Sequence, residues 1–483
     1  MKKIVLFLCV GLLLFASCND WLDVKPKTEK ESDELFETAS GFKDALMACY
    51  IDLNSSNLFG KRLVATDIEY LAQHWDFGSG NNEGVMLLKD FDYKSSYAEN
   101  TFKSIYEGLY NVVVQANCIL GYWENQGYII QDSTLRNVIK GEALAIRAFC
   151  HMEILRLYGQ IPQNATITVK LPYAKAVSFN APEFYDFNGF VECILNDLEA
   201  ATGLFKKYDP VLKYGFSMLD NFNANLVKDV FLNCRRFRFN YYAVQALKAR
   251  LFLYLGKTEE AYENARKVID AKLGEYPILS LAGNNDLDQS NFALPSECVL
   301  ALSNSKIEQN LDIFDGDGHY LTQEHYNDLF AGQSVSVNNR ALKLWDREAT
   351  NNAGERIARF VKYKQPEVSS SNEELGLSKQ VVPLIRLSEL YLIAMETAPT
   401  LDEANQLYIE YMRARNVVAE ELVESKRQET ILMEYQREFY GEGQMFYVYK
   451  RLGSKEMKWK TDREVVEQDY IVPLPATELK KNN

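Results

Sequence analysis

Residues 241–271 read YYAVQALKARLFLYLGKTEEAYENARKVIDA, and the fold turns on this stretch. Residues 241–255 carry apolar side chains at spacings of three and four, the period of a helix with a buried face. Gly256-Lys257 interrupts the pattern as a tight turn, and residues 258–271 resume it. Ala249 and Phe252 in the first segment, and Ala261, Ala265 and Val268 in the second, are small or apolar where two antiparallel helices would cross. The same design returns at residues 383–416. There Thr400-Leu401-Asp402-Glu403 opens the second helix, with Thr400 or Asp402 as its N-cap. Ala404, Tyr408 and Tyr411 repeat the spacing of Ala261, Ala265 and Val268.

A unit of this kind resembles a tetratricopeptide repeat, a helix–turn–helix of about 34 residues that buries its apolar face by stacking on neighbours. Helical patterns at residues 42–123 and 135–205 supply further, divergent pairs. Residues 141–158 are apolar over much of the helical circumference, which predicts a helix inside a bundle; Gly159 stops it and Pro162 follows. Two regions lack this period. Residues 67–93, rich in Gly, Asn, Asp and aromatics, read as one long ordered loop, and such loops tend to carry function. Residues 277–379 read as long loops, short strands and short helices. The expected fold is mainly α: a tetratricopeptide-like helical-repeat scaffold with a loop-rich C-terminal half packed on it. The expected divisions are residues 1–17, 18–32, 33–276 and 277–483.

The first two divisions come from the N-terminus. Met1-Lys2-Lys3 is a basic start, and residues 4–15 form an apolar run of signal-peptide length, too short to span a bilayer. Phe15-Ala16-Ser17-Cys18 resembles a bacterial lipobox, in which Cys18 is acylated and becomes the first mature residue. An ordinary cleaved signal with a chance cysteine is the alternative. Residues 19–32 then form a polar tether. Of the 8 cysteines, the six beyond Cys18 are scattered without a CxxC pair and read as buried free thiols.

The 483 residues carry a net charge of −14, with no basic patch. Binding along a phosphate backbone needs clustered Lys and Arg, so nucleic acid is excluded as a partner class. Familiar catalytic motifs are absent: no phosphate-binding GKS/T loop, no HExxH and no GxSxG elbow. Asp315-Gly316-Asp317-Gly318 fails the spacing of a calcium loop and reads as a turn. His319 and His325 read as loop residues rather than metal ligands. No cofactor is expected, and no pair of carboxylates is marked out as a glycosidase pair.

Neutral sugars call for different parts: flat aromatics for the C–H faces of the ring, and amides, carboxylates or guanidinium groups for the hydroxyls. The first loop offers Trp75, Asp76, Asn81, Asn82 and Tyr93, and the second offers His319, Tyr320 and Trp345. Trp75 is the leading candidate because its neighbours are polar and small. Each aromatic has core packing as its alternative. Trp123 sits in a helical pattern and reads as core, and Trp21 lies in the tether.

Several motifs in order resemble the SusD/RagB lipoproteins of Bacteroidetes. They are Cys18-Asn19-Asp20-Trp21-Leu22-Asp23; Gly141-Glu142-Ala143 with Arg147-Ala148-Phe149; Leu157-Tyr158-Gly159 with Ile161-Pro162; Pro383-Leu384-Ile385-Arg386-Leu387 with Glu389-Leu390-Tyr391-Leu392 and Glu396; residues 431–453; and Ile471-Val472-Pro473-Leu474-Pro475. Tyr435 and Met445 stand where the family's late helix usually has arginines, and Asn338-Asn339-Arg340 replaces a commoner Asp-Pro-Arg, which marks a divergent member. The resemblance implies a lipid anchor in the outer membrane and a surface-facing protein that captures glycan for a SusC-like TonB-dependent barrel transporter. It also implies a binding site built from loops in these two regions. A peptide-capturing protein of the same architecture is the alternative; a repeat adaptor that binds only protein and a glycosidase are the others.

Overall fold

The computed structural model describes residues 32–78, 82–178, 180–221, 225–288, 292–311, 318–364 and 381–479. Helices dominate. The longer ones are α1 (Ala39–Leu53), α2 (Ser96–Gln126), α3 (Ser133–Tyr158), α4 (Phe187–Tyr208), α5 (Tyr241–Tyr254), α6 (Thr258–Ile269), α7 (Leu387–Thr397), α8 (Leu401–Ala414), α9 (Arg427–Glu438) and α10 (Met445–Leu452). Several begin where a short polar side chain satisfies a free N–H of the first turn. Thr38 Oγ1 accepts from Gly41 N at 3.0 Å. The Asp132 carboxylate accepts from Thr134 N at 2.7 Å and Leu135 N at 3.2 Å. Asn240 Oδ1 accepts from Ala243 N at 2.9 Å. For α8 the cap is Thr400, not Asp402, with Glu403 N at 3.2 Å.

Successive helices pack on one another from α1 through α8, so the architecture is the expected tetratricopeptide-like stack. The two units legible in the sequence are neighbours in space, α6 lying against α7, although more than a hundred residues separate them along the chain. The intervening excursion is pinched at its base. Strand β1 (Cys298–Ser303) pairs antiparallel with the strand that closes the excursion, Val381–Arg386. Cys298 lies opposite Arg386 and Ser303 opposite Val381. The chain therefore leaves the scaffold and returns at one place. Within the excursion, β2 (Leu321–Thr322), β3 (Trp345–Asp346) and β4 (Ile357–Phe360) form a small antiparallel sheet with β4 in the middle. The closing strand is β5.

What holds the excursion to the scaffold is largely ionic and buried. Arg386 Nη1 lies 2.9 Å from Glu297 and 2.7 Å from Glu438, and its Nη2 lies 2.5 Å from Glu442. Arg415 reaches Glu297 at 2.9 Å and Glu438 at 2.8 Å. Arg340 reaches Glu434 at 2.8 Å and Glu438 at 3.3 Å. Lys362 pairs with Glu442. All of these side chains are buried. Burial alone would push the Glu438 carboxyl up, but Arg415, Arg386 and Arg340 overcome it and hold that carboxyl well below the usual range.

A second tie joins the end of α3 to the C-terminal part of the chain. The C-terminus of α3 leaves carbonyls without helical partners. Lys450 on α10 is fully buried and donates to two of them, Leu157 O at 3.2 Å and Gly159 O at 2.6 Å. Val472 N donates to Leu157 O as well, at 3.4 Å. One apolar core runs from Phe36 to Val472.

Residues 67–93 are not one long loop. They include short helices at Asp67–Leu71 and Glu83–Lys89. Composition misleads here because the acidic residues of the first helix are buried and partnered. Asp67 accepts from Tyr97 OH at 2.9 Å, and Glu69 pairs with His74 Nδ1 at 2.5 Å and accepts from Gly443 N at 2.7 Å. The cysteines among the described residues are free thiols, with Cys49, Cys150, Cys193 and Cys298 buried. Burial pushes the Cys298 thiol up to about 12. Among the described residues no helix is long and apolar enough to cross a membrane.

Candidate ligand-binding site

The two loop regions singled out in the sequence do meet. Asp76 N donates to Tyr320 O at 3.0 Å, and Tyr320 N donates back to Asp76 O at 3.3 Å. This isolated bridge brings Trp75, Asp76, His319, Tyr320 and Trp345 into one neighbourhood. Tyr93 is elsewhere: its hydroxyl donates to Asp469 O at 2.5 Å and its ring packs edge-on against Phe102. Asn82 precedes the helix at Glu83–Lys89 without capping it through its side chain, and is half-buried. Asn81, the Asp315 turn and Cys18 lie outside the described residues.

The leading candidate changes role. Trp75 has 0% of its surface exposed. Its Nε1–H donates to Ala65 O at 2.9 Å, which is how a buried indole satisfies its polar edge. Its ring is walled in by Tyr440, Phe360, His319 and Trp345 at centroid distances of 4.8, 5.8, 5.9 and 6.5 Å. Trp345 is likewise buried among Tyr326, Phe360 and Tyr440. Tyr320, His319 and Tyr93 are buried too. Packing, the alternative for each of these aromatics, describes where they lie. Trp75, His319, Tyr320 and Trp345, without Tyr93, form the floor beneath a surface, not the surface itself.

That surface is built from Asp76, from His325, which reads in the sequence as a loop residue, and from residues with no role expected from the sequence. His325, at the start of a short helix (Gln323–Leu329) capped by Thr322, holds both Asp76 oxygens, at 2.9 and 2.8 Å. Thr322 N donates to Asp76 Oδ2 at 2.8 Å. The half-buried indole of Trp459 stacks on His325, with centroids 4.6 Å apart and planes 17° apart. Trp459 Nε1–H donates to Asp328 Oδ2 at 2.8 Å, and Lys458 Nζ reaches the same carboxylate at 2.8 Å. Trp459 sits at φ +67°, the left-handed region, which costs a non-glycine residue about 1–3 kcal/mol and is typical of functional positions. Phe77, also half-buried, follows Asp76 and packs edge-on against His319 at 5.0 Å, with Lys89 Nζ 5.4 Å from its ring centroid.

The electrostatics suit hydroxyl recognition. Burial pushes the Asp76 carboxyl up, but hydrogen bonds from His325 and Thr322 N, with the charges of His325 and Lys89, bring it below the ordinary range. Asp328 is also lowered: burial would push it up, but Lys458 and the Trp459 N–H together outweigh that. Both carboxylates are therefore ionised acceptors at neutral pH. Lys458 and His325 supply donors, and the indole and phenyl rings supply flat faces. The signal that would have found Trp459 was present: Lys458-Trp459-Lys460-Thr461-Asp462-Arg463 puts an aromatic among charged residues outside any helical period. Among the described residues no group of three or more His, Cys, Asp or Glu is placed to hold a metal ion.

Comparison with known proteins fits this architecture. The model of the SusD family matches residues 322–482. A second model, described as starch-binding and associating with the outer membrane, matches residues 20–204. A SusD-like protein of Formosa agariphila is 22% identical, with 100% of this chain and 98% of the relative covered. The crystal structure of a SusD superfamily protein from Bacteroides thetaiotaomicron superposes with a TM-score of 0.69 at 19% identity, over 92% of this chain and 98% of that one. A laminarin-binding SusD-like protein superposes with a TM-score of 0.63 at 16% identity, over 92% and 97% of the two chains. With family matches at both ends and a shared fold over nearly its whole length, the chain belongs to the SusD/RagB family.

Proposed function

We propose that this protein captures glycan at the surface formed by Phe77, Asp76, His325, Asp328, Lys458 and Trp459, and hands it to a SusC-like TonB-dependent transporter without altering it. The observation that carries the reading is Trp459: a half-buried indole held at a strained backbone angle, backed by His325 and bordered by ionised carboxylates. Sugar rings present C–H faces to such a platform and hydroxyls to such acceptors. Support at the family level comes from the matching model described as starch-binding and associating with the outer membrane, and from the laminarin-binding neighbour. The basic start, the apolar run and Phe15-Ala16-Ser17-Cys18 support a lipid anchor at Cys18.

The test is calorimetric titration of the protein, made soluble by starting after Cys18, with a panel of oligo- and polysaccharides. Trp459→Ala and Asp76→Asn are run beside it. The expected result is binding of one glycan class, weakened tenfold or more (about 1.4 kcal/mol) in Trp459→Ala. Retention of a peptide mixture with no response to any glycan would move the peptide-capturing alternative into first place.

A further inference from the structure

Of the 4 histidines in the chain, three stand around the Trp459 surface. His319 packs edge-on against Phe77, with centroids 5.0 Å apart. His74, paired with Glu69, packs edge-on against Trp459 at 6.3 Å. Both are buried. His325 differs: its side chain keeps 30% of its surface exposed, so solvent protons reach it. Histidine is the side chain whose charge changes between about pH 5 and pH 8.

The position of His325 makes that charge matter. It lies on the short helix Gln323–Leu329, between two segments that come from distant parts of the chain. On one side its Nδ1 is within hydrogen-bond reach of both Asp76 oxygens. On the other, its ring lies nearly parallel to the Trp459 indole. A neutral imidazole makes one shared hydrogen bond there and offers the indole only dispersion. The imidazolium form adds charge to both contacts at once. It gives the carboxylate a charge-assisted bond and sets a cation against the electron-rich indole face. The other charges facing it balance. Asp328 on its own helix is matched by Lys458 of the C-terminal segment at 2.8 Å. Lys89, at the end of the helix Glu83–Lys89, acts on Asp76 itself.

Trp459 is the part that responds, because it is held against a cost. Its backbone sits at φ +67°, a strained conformation that persists only while the surroundings over-determine it. Opposing the strain are the indole N–H bond to Asp328, the edge of His74 and the stack on His325. Of these, the stack is the one a solvent proton strengthens directly. On the reading that this surface binds glycan, we propose that His325 is a proton-operated clamp. Its imidazolium form holds Asp76 and the Trp459 indole in the binding arrangement, and loss of the proton loosens the indole and weakens capture.

The first readout needs no ligand. An imidazolium touching an indole quenches its fluorescence more than a neutral imidazole does. The emission of the protein starting after Cys18 is titrated from about pH 5 to about pH 8, and that of Trp459→Phe is subtracted. The difference should rise with pH as a one-proton curve. The same difference taken in a His325→Gln background should be flat, since glutamine still donates to Asp76 but carries no charge. His74 and Lys89 are present in both backgrounds, so their titration, that of Lys89 at about 8 included, cancels from the comparison. The second readout is calorimetric titration with laminarin and with maltoheptaose at about pH 5.5 and about pH 7.5. Binding should be about fivefold weaker at the higher pH, the size of roughly one cation–π contact. By linkage, binding should also take up a fraction of a proton, seen as a heat that varies with the ionisation enthalpy of the buffer. His325→Gln should bind equally at both pH values. A proton-dependent emission with no binding of either glucan would count against the glycan reading while upholding the clamp. Emission that titrates equally in both backgrounds, or wild-type binding of equal strength at both pH values, would overturn the clamp.

Discussion

Replacing Glu438 by Gln tests whether the buried ionic network holds the excursion to the repeat scaffold. In the native protein the Glu438 carboxylate accepts from Arg340 Nη1 at 3.3 Å, Arg386 Nη1 at 2.7 Å, Tyr411 OH at 2.8 Å, Arg415 Nε at 2.8 Å and Arg415 Nη2 at 2.9 Å. Glutamine keeps the shape but removes the charge, and it turns an NH₂ group toward guanidinium N–H groups. The cost is not five bonds' worth, since Arg386 retains Glu442 and Glu297, Arg415 retains Glu297, and Arg340 retains Glu434. Removing one partner from a buried ion pair typically costs about 3–5 kcal/mol. At a urea m-value of about 3 kcal/mol/M, the unfolding midpoint should fall by about 1–1.7 M. The pH dependence supplies a second readout. A carboxyl whose folded pKa is depressed contributes stability above its unfolded value and loses it as pH falls through the folded one. The wild type should therefore lose stability more steeply on acidification than Glu438→Gln. Both are measured by urea unfolding followed by tryptophan fluorescence between pH 7 and pH 3. A loss below about 1 kcal/mol at neutral pH, with parallel acid limbs, would refute the argument.

Lys89 gives a slope of the same sign in the alkaline range, from a charge that burial disfavours: burial, with a smaller push from Lys460, lowers its ammonium to about 8. Between pH 8 and 10 the unfolded chain binds a proton that the folded one does not, so stability should rise with pH by up to about 1.4 kcal/mol per unit; urea titrations of Lys89→Met should lack this slope, and equal slopes would exclude it. Gly443 sits at φ +67°, and a Cβ there would meet Leu63 O at 2.0 Å, so Gly443→Ala should cost about 3 kcal/mol or more. Gly453, at φ +56° with open space around it, should cost only about 1–2 kcal/mol on the same change; thermal melts of the two variants compare strain with and without a clash.

The repeat scaffold was legible because its information is local. The apolar positions of α5 and α6, and of α7 and α8, recur at helical spacing, and Gly256 marks the turn. That α6 would lie against α7 was not visible, because the strand pair β1–β5 that closes the excursion joins residues some eighty apart. The ionic network was hidden for the same reason: Arg340, Arg386 and Arg415 look like any arginines until Glu438 comes between them. The site was half legible. Asp76 and Tyr320 do join the two loop regions, yet the argument that favoured Trp75 described its chain neighbours, whereas burial is decided by Tyr440, Phe360 and Trp345. Applied to Trp459, the same argument from polar neighbours points to a residue at the surface.

The lysine that plugs the end of α3 has a consequence for the order of events during synthesis. The carbonyls of Leu157 and Gly159 meet Lys450 and Val472, which leave the ribosome roughly three hundred residues later. At about 5–20 residues per second, that is a delay of tens of seconds. Until then the first third of the chain holds a buried helix with an unfinished end. The end of α3 is accordingly completed only when the C-terminal segment arrives.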